Sequence, residues 1–347
     1  VRSSASILDG MRAGERLEDV ARSAGPEVVD HLVVATTDPD PITAIAAVHA
    51  LGAHGSATAG AHLVSLLDDE RAHVAEHAID ALSGVVAQAA ALERLVRHCA
   101  EGGFPGMLAA RTLGRWAAAS PDAVEHAVTV GLASERDPAA RAHLEELAQD
   151  LRSGARDATK PPTRGGPGLT VAQLFLHGDL DGSLRHSGQG DTGGVATLLV
   201  HLGDALRHGA RVDRVITISG SRDAAVADAW AAGATTGRTL SQDLAPRGHH
   251  YARIPLSGPS TSVSTAWSLR IQARHGIREV LRAAGRVDVI HLRMADVGSL
   301  VAAEVAAELG IPVVLTLAPD PQALLAAREA AGSLTRAEFG DADRVEH

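Results

Sequence analysis

Val287-Asp-Val-Ile-His-Leu292, then Arg293-Met-Ala-Asp-Val297, then a small-residue stretch from Gly298 to Leu309, then Ile311-Pro-Val-Val-Leu-Thr-Leu317: this passage decides the fold. Two short β-branched runs flank one helix-length segment, and a strand that returns beside its predecessor through a helix does so in parallel. The same grammar extends backwards. Leu169-Thr-Val-Ala-Gln-Leu-Phe-Leu176 reads as a strand, residues 194–208 as a helix, Arg214-Val-Ile-Thr-Ile-Ser219 and Tyr251-Ala-Arg-Ile-Pro255 as strands, and 263–284 as a long amphipathic helix. Short apolar strands alternating with helices predict a parallel, doubly wound α/β domain. In such sheets ligands sit beyond the carboxyl ends of the strands, so the loops after Leu176, Ser219, Leu292 and Leu317 are the ones to examine.

Upstream the grammar differs. To about residue 155 the apolar positions recur with helical spacing, and three segments repeat one another: Ala44-Ile-Ala-Ala-Val-His-Ala-Leu-Gly52, Ala75-Glu-His-Ala-Ile-Asp-Ala-Leu-Ser83 and Leu108-Ala-Ala-Arg-Thr-Leu-Gly114. Leu51, Leu82 and Leu113 stand 31 residues apart, and a looser copy ending at Leu147 lies 34 further on. Helical pairs at this period cannot bury their own apolar faces and must stack on their neighbours. The pattern resembles short HEAT-type repeats over roughly residues 38–152. It predicts either an arm that binds a protein partner or a large acceptor, or a helical cap supporting the second half. The expected organisation is a helical repeat domain over 1–152, a Gly/Pro-rich linker over 153–168 and an α/β domain over 169–347.

Composition sets outer limits. The chain has 347 residues, a net charge of −10 and 45% hydrophobic residues, which suits two domains with real cores and excludes a disordered chain. No basic block offers a track for nucleic acid or an anionic membrane. No run is long and apolar enough for a spanning helix. One cysteine, Cys99, reads as a buried thiol in a helix and points to a reduced, cytoplasmic compartment. His73 and His77 have i,i+4 spacing but no third ligand at a suitable distance, so the arm's histidines read as solvated.

The loop after Leu176 is His177-Gly-Asp-Leu-Asp-Gly182 continuing to Gly188-Gln-Gly-Asp191-Thr192-Gly193-Gly194, where a helix begins. Its G-x-G-x-x-G spacing is weak evidence for a dinucleotide site, because about ten residues separate it from the strand. Paired glycines at a helix entrance, in contrast, let a phosphate or sugar approach free N–H groups at the positive end of the helix dipole. Asp179 and Asp181 read as turn-making residues rather than metal ligands. His249-His250 reads as an exposed pair at a strand entrance.

A strand ending His177-Gly178, a loop ending Asp191-Thr-Gly-Gly194, and the block Val287-Asp-Val-Ile-His-Leu-Arg-Met-Ala-Asp-Val-Gly298 followed by Leu309-Gly-Ile-Pro-Val-Val-Leu-Thr316 together resemble the first Rossmann-like domain of retaining GT-B glycosyltransferases of the sucrose-phosphate synthase and sucrose synthase branch. The resemblance covers residues 169–347. It implies transfer of a sugar from a nucleotide-sugar co-substrate to a sugar, sugar phosphate or other acceptor, with no further cofactor and no metal. It places His177, Asp191, Thr192, Gly193, Gly194 and Arg293 at the substrates, with His291 and Asp296 as the catalytic polar positions of the same cleft. Arg293 stands where the family has a histidine, and reads either as the partner of an acceptor anion or as the partner of Asp296. Met294 replaces a tyrosine, Val195 a glutamine, and Leu317-Ala-Pro319 a Gly-His-Ser whose histidine would meet the donor sugar. The family also needs a second, donor-binding domain, in cis or as a second chain. The sequence is therefore expected to be the N-terminal part of a larger or split enzyme, inactive by itself, with a non-catalytic repeat scaffold as the alternative.

Overall fold

The computed structural model describes residues 1–155, 168–181, 193–209, 211–231, 237–244, 246–257, 267, 269–317 and 320–339. Two compact units emerge, Val1–Leu151 together with Pro319–His347, and Arg152–Ala318.

The first unit is helical: α1 Ile7–Ser23, α2 Glu27–Ala35, α3 Pro41–His54, α4 Ala57–Ser65, α5 Ala72–Ala81, α6 Ala89–Glu101, α7 Gly103–Ala119, α8 Pro121–Ser134 and α9 Pro138–Ala155. Their starts are written in the sequence. The side chains of Ser6, Asp40 and Ser56 accept the N–H of the third residue beyond, and Pro41 and Pro121 occupy first-turn positions where no N–H is needed. Helices α1, α3, α5 and α7 pack in succession as one layer, and the second helices of each pair form the other, with Arg94 of α6 donating to the Val64 carbonyl of α4 at 3.0 Å.

The 31-residue period is the period of the core. Leu51, Leu82 and Leu113 are each fully buried, one per repeat, and each buried leucine contributes about 1.5–3 kcal/mol. Side chains stitch adjacent repeats at nearly the same spacing: Thr112 Oγ1 donates to the Ile79 carbonyl at 2.7 Å, Trp116 Nε1 to that of Leu82 at 3.0 Å, and Arg111 pairs with Asp80 at 2.8 Å. Gly52 permits the closest approach, since a Cβ there would lie 2.5 Å from the Ala81 carbonyl oxygen.

Three expectations change here. The arm's histidines are not all solvated: His73 is buried, and His49 Nε2 meets His77 Nδ1 at 2.7 Å across the α3–α5 contact. His77 thus has a neighbour in the preceding repeat, and no cluster of three potential metal ligands exists among the described residues. Helix α9 extends to Ala155, into the expected linker, of which 156–167 lie outside the described residues. Residues 320–339, expected with the α/β half, pack on the helical unit. There α15 Pro321–Ala330 follows the α/β elements in sequence, and Leu325, Leu334 and Phe339 share a core with Ile7 and Ile42.

The second unit is α/β: β1 Leu169–Phe175, α10 Gly193–His208, β2 Val212–Ser221, α11 Ala224–Ala231, α12 Gly237–Leu244, β3 Gly248–Pro255, α13 Arg270–Ala284, β4 Val289–Leu292, α14 Val297–Leu309 and β5 Val313–Leu315. All strand pairs are parallel and the order is β3-β2-β1-β4-β5. Alternation makes the two sheet faces chemically different. One carries Ala172, Leu174, Ile216, Ile218, Ala252, Ile254, Ile290 and Leu292, covered by α13 and α14 in an aliphatic core. The other, under α10, carries Gln173, Thr217, Ser219, Tyr251 and Arg253, unusual for a buried parallel sheet. Strand β5 is shorter than its Ile311–Leu317 sequence run, and Val313, Val314 and Leu315 are all exposed at the sheet edge.

Candidate functional site

The strand order reverses direction between β1 and β4, the switch point at which an open parallel sheet leaves a crevice. Each of these strands ends in one of the sequence blocks singled out above. His177 follows β1 by two residues, and Asp296 is the residue before α14, just beyond β4. They meet: His177 Nε2 lies 2.8 Å from Asp296 Oδ2, with the side chains 12% and 5% exposed.

Asp296 holds this position because it is also the N-cap of α14, its Oδ1 accepting the Ser299 N–H at 2.6 Å. One carboxylate therefore fixes a helix start and an imidazole from another strand. Because the carboxylate accepts the Nε2–H, His177 Nδ1 is left as a hydrogen-bond acceptor. The edge of Phe175 packs against the imidazole, with ring centroids 6.0 Å apart. A small cavity opens beside the pair, lined by Leu176, His177, Arg222, Leu256, Val297 and Gly298 among others.

The loop beyond His177 is anchored from the neighbouring strands. Asp179 accepts Arg253 Nε and Ser221 Oγ, each at 2.6 Å, and Ser219 Oγ accepts the Leu180 N–H at 3.1 Å. The hydrogen bonds that the Arg253 guanidinium donates to Asp179 raise its already high pKa against the opposing effect of burial. Asp179 thus ties the loop to β2 and β3, a contact that its reading as a turn-making residue did not include.

The remaining sequence candidates divide. Asp191 and Thr192 lie outside the described residues. Gly193 is the first residue of α10, and a Cβ on Gly194 would meet nothing within 4 Å. Among the described residues, packing therefore does not require a glycine at 194. Arg293 is half-buried and makes no ion pair among the described residues; Asp296, its expected partner, is engaged by His177 and Ser299.

His291 does not join the His177–Asp296 pair. It lies within β4 in register with Gln173, four residues before His177 on β1, roughly 13 Å at 3.3 Å per residue. Its Nε2 bonds Thr316 Oγ1 at 2.9 Å. Burial, then the nearby Arg293 charge, pushes its pKa below the ordinary histidine value. One strand residue, Leu292, separates His291 from the end of β4, so His291 stands back from the loop in which Asp296 meets His177.

One polar cluster escaped the sequence reading. Gln173 Nε2 donates to the Leu199 carbonyl and to Thr217 Oγ1, both at 2.7 Å. Thr217 Oγ1 is 2.7 Å from His249 Nε2, and His249 Nδ1 is 2.8 Å from Asp204. His249 is therefore not an exposed strand-entrance residue: its side chain is 6% exposed and sits against Gly203 of α10. Tyr251 beside it has its pKa raised to about 12 by burial and by the charges of Asp204 and Asp181. Only the period-2 placement of Gln173, Thr217 and Tyr251 on one face signals the cluster, and an apolar-run search passes over it.

Comparison with known proteins finds similarity to HEAT repeats over residues 15–83 and 29–113. The similarity begins earlier than residue 38, so α1 and α2 belong to the repeat array. No curated protein and no solved structure matches the chain. No described helix is long and apolar enough to cross a membrane. Residues 15–113 are thus similar to a repeat class, while the α/β unit stands on its own geometry.

Proposed function

We propose that the chain is the acceptor-side part of a nucleotide-sugar-dependent retaining glycosyltransferase, carrying a HEAT-type arm for a protein partner or a large acceptor. The observation that carries this reading is the meeting of His177 and Asp296 at 2.8 Å, since it brings both sequence blocks that resemble the GT-B family to one switch point. The half-buried Arg293, without an ion pair among the described residues, and Gly194, beside which no described residue would meet a Cβ, add a cation and backbone donors for an anionic group.

In this reading the acceptor lies against His177, whose Nδ1 accepts a hydrogen bond from an acceptor hydroxyl while Asp296 holds the imidazole in place. The α10 N-terminus and Arg293 balance charge on the departing diphosphate, so that departure and attack proceed on one face of the sugar. A donor-binding domain, in cis or on a second chain, supplies the remaining contacts to the nucleotide sugar. Closure against that domain excludes water.

A second reading is a non-catalytic interaction protein. It is favoured by the repeat similarity over residues 15–113, and by Leu317-Ala-Pro319 standing in place of the histidine expected at the donor sugar. Calorimetric titration of the chain with UDP-glucose, ADP-glucose, glucose 6-phosphate and fructose 6-phosphate separates the two. The enzyme reading expects binding of at least one of these, weakened about tenfold or more by Gly194→Val and by Arg293→Ala. Absence of binding by all four supports the scaffold.

A further inference from the structure

A helical repeat array ends in an uncovered apolar face unless something caps it. Here that end is formed by the first turn of α1 and the start of α3, where Ile7 and Ile42 are buried, with Val1, Leu8 and Met11 around them. Its occupant comes from more than 300 residues away in sequence: Leu325 of α15, Leu334 and Phe339 fill the groove.

Polar contacts fix the direction of this occupant. Glu329 accepts the Ile7 N–H through both carboxylate oxygens, at 2.9 and 3.1 Å, at the positive end of the α1 dipole. Arg336 forks onto Asp40 at 2.5 and 2.9 Å and donates to the Val1 carbonyl at 2.9 Å. Gly10 leaves room for the guanidinium, because a Cβ there would lie 3.1 Å from Arg336 Nη1.

The contact is nevertheless small. Between residues 320 and 339 only Leu325, Leu334 and Phe339 are buried, and the Arg336 and Asp40 side chains remain 24% and 14% exposed. A helix carrying a few apolar anchors and a complementary charge pair, lying in an apolar groove, is a recurring mode of peptide recognition. We propose that this groove is the arm's docking site for an amphipathic helix of a partner protein, and that residues 320–339 occupy it in cis as a displaceable strap. The partner helix carries apolar anchors for the Ile7–Ile42 surface, a carboxylate for the Ile7 N–H and an arginine for Asp40. The strap competes through its effective concentration, being tethered to the same chain. This inference is independent of the glycosyltransferase reading, because it uses the helical unit alone.

The probe is a fluorescein-labelled synthetic peptide of residues 320–339, titrated by fluorescence anisotropy against the full chain and against its Leu325→Ala/Arg336→Ala variant. Weakening the resident strap is expected to tighten peptide binding at least tenfold, while a peptide carrying the same two substitutions does not bind. Equal affinity for both chains, or no binding to a variant that retains its cooperative melt, overturns the proposal in favour of a permanent cap. If the double variant loses that melt, Arg336→Gln alone decides: peptide binding at least threefold tighter than wild type supports the strap, and unchanged or absent binding overturns it.

Discussion

Asp296 carries two loads, and its substitution separates them from those of its neighbours. Asp296→Ala removes the α14 cap, worth about 1 kcal/mol, and leaves the nearly buried His177 Nε2–H without its acceptor, worth about 1–3 kcal/mol. The α/β unit is expected to lose about 2–4 kcal/mol in urea unfolding, against under 1 kcal/mol for exposed Ala295→Ser. His291 gives a pH signature. Its folded pKa is lowered by burial and Arg293, so below about pH 6.5, the ordinary histidine value, the unfolded chain takes a proton that the folded one resists. Stability is complete above that pH, falls as pH drops through it, and levels off below the folded value. In His291→Gln the loss between pH 7.5 and 5.5, measured by urea midpoints, is expected to shrink. At this scale the sequence was legible in part: the run Val287–Leu292 ends where β4 ends, and the family resemblance drew attention to His177 and Asp296, whereas their meeting depends on two loops 119 residues apart in sequence. His249 was misread because its burial depends on Gly203, 46 residues away, which makes room for the ring.

Elements were legible where local signals and packing agree. Asp40-Pro41 and Ser56 announce helix starts, and the leucines at 51, 82 and 113 announce a stacking period that the core obeys. The short α11 and α12 between β2 and β3 were not foreseen, since each has only eight residues and no strong apolar period to advertise it. The 31-residue period also makes a quantitative demand on the middle repeat. Leu82→Ala opens a cavity in contact with repeats on both sides and is expected to cost about 3–5 kcal/mol. Gly52→Ala drives a methyl into the Ala81 carbonyl and is expected to cost about 1–3 kcal/mol by forcing the repeats apart. Gly114→Ala, where a Cβ meets nothing within 4 Å, is instead expected to be neutral or stabilising by up to about 1 kcal/mol, because alanine is the better helix former. Chemical denaturation of the three variants, followed by helical circular dichroism, checks the order. Equal effects of Gly52→Ala and Gly114→Ala would show that the α3–α5 approach is not tight.

For the whole molecule, the unexpected feature is the path of the chain: it builds the helical unit, passes through the α/β unit, and returns to the helical unit with residues 320–339. Local pattern could not reveal this return, because Leu325, Leu334 and Phe339 are spaced as any short amphipathic segment would be, and their partners Ile7 and Ile42 lie at the other end of the sequence. The α/β unit is thereby inserted between a repeat array and its cap, so the two units respond differently to one truncation. A chain ending at Leu317 keeps every described strand of the sheet but uncovers the Ile7–Ile42 surface and breaks the Arg336–Asp40 pair. Uncovering this surface is expected to cost about 2–4 kcal/mol, well below the gross worth of three buried side chains, because the freed segment regains entropy. At about 2–4 °C per kcal/mol for a unit of this size, the helical transition in calorimetry is expected to fall by roughly 5–15 °C, with the α/β transition unmoved. The pH dependence follows from the same contact. Burial works against ionisation of Asp40, but hydrogen bonds from Arg336 and Thr43 outweigh it and hold the carboxyl below its ordinary value. That stability is present above the unfolded carboxylate pKa of about 4 and is lost as pH falls through the lower folded value. The truncated chain, lacking Arg336, is therefore expected to lose less helical stability than the full chain between pH 5 and pH 3, and an identical acid loss in both would place the contact's contribution elsewhere.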